Sequence, residues 1–347
     1  MRLIAVNELQ PGMKLARAIF REDDGRVLLR PNVDLKPSYI DRIRELKYNS
    51  IYISDPQIPE SKTIREAISE ETRFKARGLL KQTADRLLKE DAVSTLKLKT
   101  IVAELVDQVF GDINIVYNMA DTRSYANYIY SHSVNVCIIA LMIGMEMGFN
   151  RQEMESLGMG ALLHDIGRIF IDPQPLDQFG HLETREYEQI KKHTRLGYDI
   201  LKKKFEVNFL VAHIALQHHE REDGSGYPRG LTTKRIHRFA KIVAVADIYD
   251  AMTSQRNRGI PSHQAIREIK AEADAKFDRA VVQCFTKVVA PYLVGTVLQL
   301  NNGDAALVTH VTRGECQVII VQGSQKGLTF DLFQNPRLYV DKVMGSV

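Results

Sequence analysis

A chain of 347 residues with 44% apolar and 26% charged residues has the make-up of a folded protein with a sizeable core. Its 47 Lys+Arg against 43 Asp+Glu leave a net charge of +4, too small to argue for a DNA partner. The three cysteines, Cys137, Cys284 and Cys316, are scattered and form neither a CxxC pair nor an even framework, which argues against zinc-thiolate or disulfide scaffolds and predicts a reducing cytoplasm. Residues 1–56 alternate short apolar runs with Pro-Gly and Asp-Gly turns, and "SYIDRIRELKYNSIYIS" reads as a helix followed by a strand, so a small α+β accessory module is expected there. Residues 57–109 are charged and helical, with Leu79, Leu80, Leu87 and Leu88 at three-to-four spacing. They predict a packed or linking helical stretch, with a homodimer seam as the other reading. Residues 110–290 alternate apolar helical segments with polar loops. Their longest apolar run, "VCIIALMIGM" at 136–145, is shorter than the roughly 18–20 residues that cross a bilayer. Glu8 and Pro11 interrupt any leader-like stretch, so a soluble cytoplasmic protein with no membrane segment is expected. Residues 291–347 change to β-branched runs divided by Asn-Gly-Asp and Arg-Gly turns, predicting a small unit of three to five strands.

Chemistry concentrates in the middle of the chain. Half of the ten histidines, His132, His164, His193, His218 and His219, fall in one interval, and Asp165 and Asp247 each follow an apolar run. One helical histidine is ordinarily a hydrogen-bonded core residue, but two carboxylates carried into apolar surroundings cost several kcal/mol without compensation. No lysine or arginine in register accompanies both, whereas divalent cations would satisfy them together. Neighbours i and i+1 on a helix lie about 100° apart, so His164-Asp165 and His218-His219 can each approach an ion from two sides. Imidazole and carboxylate without thiolate favour iron, manganese, nickel, cobalt or zinc over calcium or magnesium. So many ligands around one central aspartate exceed a single tetrahedral site and predict two ions bridged by Asp165, an arrangement suited to phosphoester attack. Directly after the double histidine, "EREDGSGYPRG" contains tight turns at Asp223-Gly224 and Gly226. Its position predicts a substrate-facing loop, with the Tyr227 ring available to stack on a base.

On these residues the segment from about Tyr125 to Phe285 resembles the HD superfamily of metal-dependent phosphohydrolases. Through "HHEREDGSGYP" at 218–228 it resembles the HD-GYP subfamily, with "HDIG", "KKH", "HHExxDGxGYP" and "ADIYDAMTS" in family order. The resemblance implies a mainly α fold, an HD-domain helical bundle, flanked here by the small N-terminal α+β module and the small C-terminal β unit. It also implies a phosphodiesterase that opens the bacterial second messenger cyclic di-GMP to pGpG and/or GMP through a metal-bridging hydroxide. Cyclic di-GMP or a related cyclic dinucleotide, and signalling proteins, are then the expected partners. Carried over by position, His132, His164, Asp165 and Asp247 would hold one ion, and Asp165, His193, His218 and His219 the other. Two divalent transition metals are expected, iron or manganese ahead of nickel, cobalt or zinc. Some members use a glutamate one turn before the first histidine for a third metal; here that position is Tyr128, so two are expected. Arg168 stands where the family usually has lysine. It would bind a nonbridging phosphate oxygen but cannot give up its proton near neutral pH. Asp250 is left to contact substrate and protonate the leaving oxygen. "TSQRNRGIPS" places Arg256, and more weakly Arg258, as contacts to substrate phosphate or guanine. The competing reading is a slow or inactive cyclic-dinucleotide receptor that signals through its accessory modules.

Overall fold

The computed structural model describes residues 2–20, 27–46, 48, 50–54, 67–111, 116–117, 128–171, 184–254 and 259–345. The chain divides into two compact units, one of Met1–Glu66, Asn114–Ala126 and Ala290–Val347, the other of Ala67–Ile113 and Asn127–Val289.

In the first unit, the N-terminal residues form strands β1 (Arg2–Ala5), β2 (Lys14–Leu15), β3 (Ile19–Phe20), β4 (Val27–Leu29) and β5 (Ser50–Ser54). β1, β5 and β2 make an antiparallel sheet in that order, and β3 pairs with β4. Helix α1 (Pro37–Glu45) opens on a proline, whose fixed φ suits the first helical turn. It buries Ile40 and Ile43 in one core with Leu15, Leu35 and Ile51. The C-terminal residues form β6 (Val297–Leu300), β7 (Ala305–Thr312), β8 (Glu315–Gln322), β9 (Thr329–Asp331) and β10 (Val340–Gly345), a five-stranded antiparallel sheet in the order β10-β6-β7-β8-β9. Alternating residues of β7 and β8 turn Ala306, Val308, Val318 and Ile320 inward, as the period of a half-buried strand requires.

The second unit is helical: α2 (Glu70–Leu88), α3 (Thr95–Phe110), α4 (Tyr128–Glu146), α5 (Arg151–Leu163), α6 (Thr184–Lys204), α7 (Phe209–Gln217), α8 (Arg238–Thr253), α9 (Ser262–Ala271) and α10 (Arg279–Val288). Its centre is α4, apolar on every side and packed against α2, α3, α5, α8 and α10. Among the described residues α4 is also the one helix long and apolar enough to cross a membrane, but 67% of that window is buried within the protein. Of the packed and linking readings of 57–109, the described helices α2 and α3 take the packed one, because Leu80, Ala84, Leu98 and Leu105 turn into this bundle and α3 packs on α4 and α5. Helix α5 starts at a reciprocal cap: Asn150 Oδ1 accepts from the Glu153 amide at 3.0 Å, and Glu153 Oε2 accepts from the Asn150 amide at 2.9 Å. It ends at His164, and a tight 3-10 turn, Ile166–Phe170, follows.

Candidate metal centre

Five elements converge on one buried polar cluster. α4 supplies His132, the junction after α5 supplies His164 and Asp165, and α6 supplies His193. The end of α7 supplies His218 and His219, and α8 supplies Asp247. Three of the imidazoles are aimed by their own helices. Nδ1 of His164 donates to the Ala161 carbonyl at 2.7 Å, that of His193 to Ile190 at 2.6 Å and that of His218 to Ala215 at 2.9 Å. A ring fixed in this tautomer presents a bare Nε2 lone pair. His132 is aimed differently: its Nδ1 lies 2.7 Å from Asp250 Oδ2.

The Nε2 atoms then face carboxylates and one another. Asp165 Oδ1 lies 3.2 Å from His193 Nε2 and 3.7 Å from His218 Nε2, while Oδ2 lies 3.6 Å from His164 Nε2 and 3.8 Å from His132 Nε2. Asp247 Oδ1 lies 3.0 Å from His132 Nε2, and its Oδ2 lies 3.6 Å from His219 Nδ1. Ligand atoms fall into two groups, each within 4.8 Å: Asp165, His193, His218 and His219 in one, His132, His164 and Asp247 in the other. Asp165 reaches toward both.

These atoms fit cations better than they fit each other. His193 and His218 have both committed Nδ1 to a carbonyl, yet their Nε2 atoms stand 3.2 Å apart, two acceptors face to face. Among the described residues, His164 Nε2, Asp165 Oδ1 and His219 Nε2 are buried without a hydrogen-bond partner. Orphaned acceptors of this kind are costly unless something positive lies between them. Five imidazoles and two carboxylates without a thiolate are a first-row transition-metal donor set.

The electrostatics agree in direction. Burial alone would raise the Asp165 carboxyl, but Arg168 and the surrounding imidazoles hold it well below the usual carboxylate range. Burial likewise opposes ionisation of Asp247, and His132 and His219 outweigh it. Burial pushes His164 down to about 4 and His193 to about 3. His219 is also held well below its usual value by burial and His218. His132 goes the other way: burial works against its charge, but Tyr128, Asp247 and Asp250 raise it well above 6.5. In metal-free protein, an unfolded chain therefore binds more protons than the folded one between pH 6.5 and about 4, and stability rises with pH across that window. The His132 contribution is already complete below 6.5 and does not cancel this. Chelator-treated protein is expected to lose urea resistance steadily as pH falls through the window; a flat profile would refute the neutral state of His164 and His193.

Arg168, expected on a substrate phosphate, places Nε 2.6 Å from Asp165 Oδ2. One of the two buried carboxylates therefore has an arginine partner, three residues on in the 3-10 turn, while no lysine or arginine among the described residues pairs with Asp247. Asp250, expected as a proton donor, instead accepts from His132. Tyr227 lies with its ring 4.6 Å from that of His219 at 29°, so one face is taken by a ligand histidine. Tyr128 stacks on His132 at 5.4 Å and 16°. Arg256 and Arg258 lie outside the described residues.

Two residues that hold the site escaped the sequence reading. Gly167 passes so close to α6 that a Cβ there would lie 2.0 Å from the His193 carbonyl oxygen. Glu220 is buried, and its carboxylate accepts from the amides of Arg229 at 2.9 Å and Leu231 at 2.8 Å, clamping the loop that carries Tyr227. The signal was a carboxylate directly after a double histidine at the mouth of a glycine-rich loop, which needs an anchor. Glu220→Ala leaves two amides without acceptors, at about 1–3 kcal/mol each. Urea unfolding is expected to show that loss and Glu220→Gln about half of it; equal stability of Glu220→Ala and the parent would remove the clamp from the account.

Residues 114–281 match the family model of the HD domain. A cyclic di-GMP phosphodiesterase of Pseudomonas aeruginosa is 32% identical over 219 residues, covering 62% of this chain and 53% of that protein. A cyclic di-GMP phosphodiesterase of Thermotoga maritima is 33% identical over 228 residues, covering 62% of this chain and 61% of that one. The chain thus spans between half and two thirds of the length of these curated relatives. An HDGYP protein of Bdellovibrio bacteriovorus has the same fold, with a TM-score of 0.53 at 18% identity over 82% of this chain and 97% of that one. The match places an HD domain in residues 114–281, which include every residue of the metal cluster. The paired His218-His219 and the Gly226-Tyr227-Pro228 loop, the residues that carry the HD-GYP resemblance, lie within that match.

Proposed function

We propose that this protein is a cytoplasmic phosphodiesterase that opens cyclic di-GMP to pGpG and/or GMP, using two divalent transition-metal ions, iron or manganese ahead of nickel, cobalt or zinc. The observation that carries the reading is Asp165, which turns one carboxylate oxygen toward each of two sets of imidazoles. Ions held there would supply charge stabilisation and an acidified water for in-line attack on phosphorus. The protein's own part is to hold and to aim. Asp165 and Asp247 carry the negative charge, and Arg168 keeps Asp165 ionised while its remaining donors take a nonbridging phosphate oxygen. A carboxylate that already accepts the His132 proton serves to orient that imidazole, so we assign Asp250 to positioning in place of protonating the leaving oxygen. Arg256 and Arg258 remain assigned to the substrate. With Tyr128 in place of a third carboxylate, two ions complete the set.

The alternative is a receptor that binds the cyclic dinucleotide without turning it over. Anaerobic purification, loading with iron or manganese, and chromatography of the products separate the two. Parent protein is expected to yield linear product and His164→Ala none. Cyclic di-GMP bound without product by the parent would favour the receptor, and three ions per fully active chain would overturn the two-ion assignment. A faster Arg168→Lys variant would show that the arginine limits turnover.

A further inference from the structure

Beside the metal cluster, α6 carries a second constellation that no metal needs. Tyr227 is packed by two rings: one face lies on His219, and Tyr187 stands nearly perpendicular to it with centroids 6.2 Å apart at 80°. That leaves Tyr187, 44% exposed, as the ring open to a ligand. Lys191, one turn further along α6, holds Nζ 4.6 Å from the Tyr187 centroid and 5.5 Å from that of Tyr227. Its ion pair with Glu188, 2.6 Å long, is at the surface, where such pairs are weak and readily exchanged. Because His193 lies on the same helix, two residues after Lys191, this aromatic and cationic wall is fixed relative to the metal ligands.

We propose that Tyr187 and Lys191 form a purine-base subsite, with Tyr187 as the stacking platform and Lys191 donating to the O6 and N7 acceptors of guanine. Adenine presents a donor amine where guanine presents O6, so the ammonium favours guanine. The ligand class rests on the phosphodiesterase reading, whereas the test does not require turnover.

The test is equilibrium titration of the metal-loaded full chain with GMP, AMP and inorganic phosphate. Tyr187→Ala is expected to weaken GMP roughly 10- to 100-fold, the usual weight of one stacked base, with phosphate affinity changing far less. Tyr187→Phe, which keeps the ring, is expected to stay within about threefold of the parent. Lys191→Met is expected to cut the preference for GMP over AMP about tenfold. Equal weakening of GMP and phosphate by Tyr187→Ala would mean that the ring only props Tyr227 and the metal ligands, and would overturn the subsite. Unchanged GMP affinity would overturn it too. A chain that binds GMP through Tyr187 yet opens no cyclic dinucleotide would keep the subsite and lose the hydrolytic reading.

Discussion

Replacing Asp165 with asparagine is expected to lower cyclic di-GMP turnover by more than about 100-fold, since removing even an outer partner of a metal ligand costs 10- to 100-fold. The amide matches the carboxylate in size and keeps an oxygen beside the Arg168 guanidinium, so the fold is expected to survive. It cannot offer a charged oxygen to both imidazole groups, and the negative charge that offsets Arg168 disappears from a site where the side chain is 2% exposed. Metal content measured by elemental analysis should fall with activity. An Asp165→Asn protein that kept both its ions and a tenth or more of its activity, on the scale just given, would refute the bridging role.

The second large effect is expected at Gly167. An added Cβ would sit 2.0 Å from the His193 carbonyl oxygen and 2.5 Å from the Gly197 amide nitrogen, and both atoms belong to the backbone of α6. Overpacking ordinarily costs about 1–3 kcal/mol when side chains can yield, so Gly167→Ala is expected at or above that range. The helix that must move carries His193, so metal should also be lost from the group containing it. Gly160→Ala is the comparison: its Cβ would meet side-chain atoms of the buried Ile214 and no backbone, so the cost there falls on packing and not on a helix that carries a ligand. Urea midpoints and metal stoichiometry for the two variants give the comparison. A Gly167→Ala protein as stable as Gly160→Ala and fully metallated would show that the close approach has no role.

Much of this site was legible because its residue types are costly in an apolar helix. His164, Asp165, His218 and His219 stood out as polar neighbours at the ends of buried runs, and burial cost alone called for cations. The pairing of Arg168 with Asp165 was within reach as well, being only three residues long, but it required seeing that α5 gives way to a 3-10 turn. Other assignments depended on topology. Asp250 meets His132 across 118 positions of sequence, and only the packing of α8 on α4 decides that its carboxylate faces an imidazole. The same holds for Tyr227, whose ring is turned onto His219 by the loop that Glu220 anchors. The stretch over 57–109 stayed open between packed and linking for a related reason: a helix with one apolar stripe says that something covers it, and not what. Here the bundle around α4 supplies the cover.

The hydrogen bonds from His164, His193 and His218 to carbonyls three residues back bear on metal supply. A cage whose rings are set by their own helices can adjust little to the ion it would hold, so it would discriminate among first-row ions by size and preferred geometry. Such selection by fit works against the general affinity order, in which copper and zinc outrank iron and manganese. The metal content of the same chain expressed in differently supplied media should then vary less than the supply does.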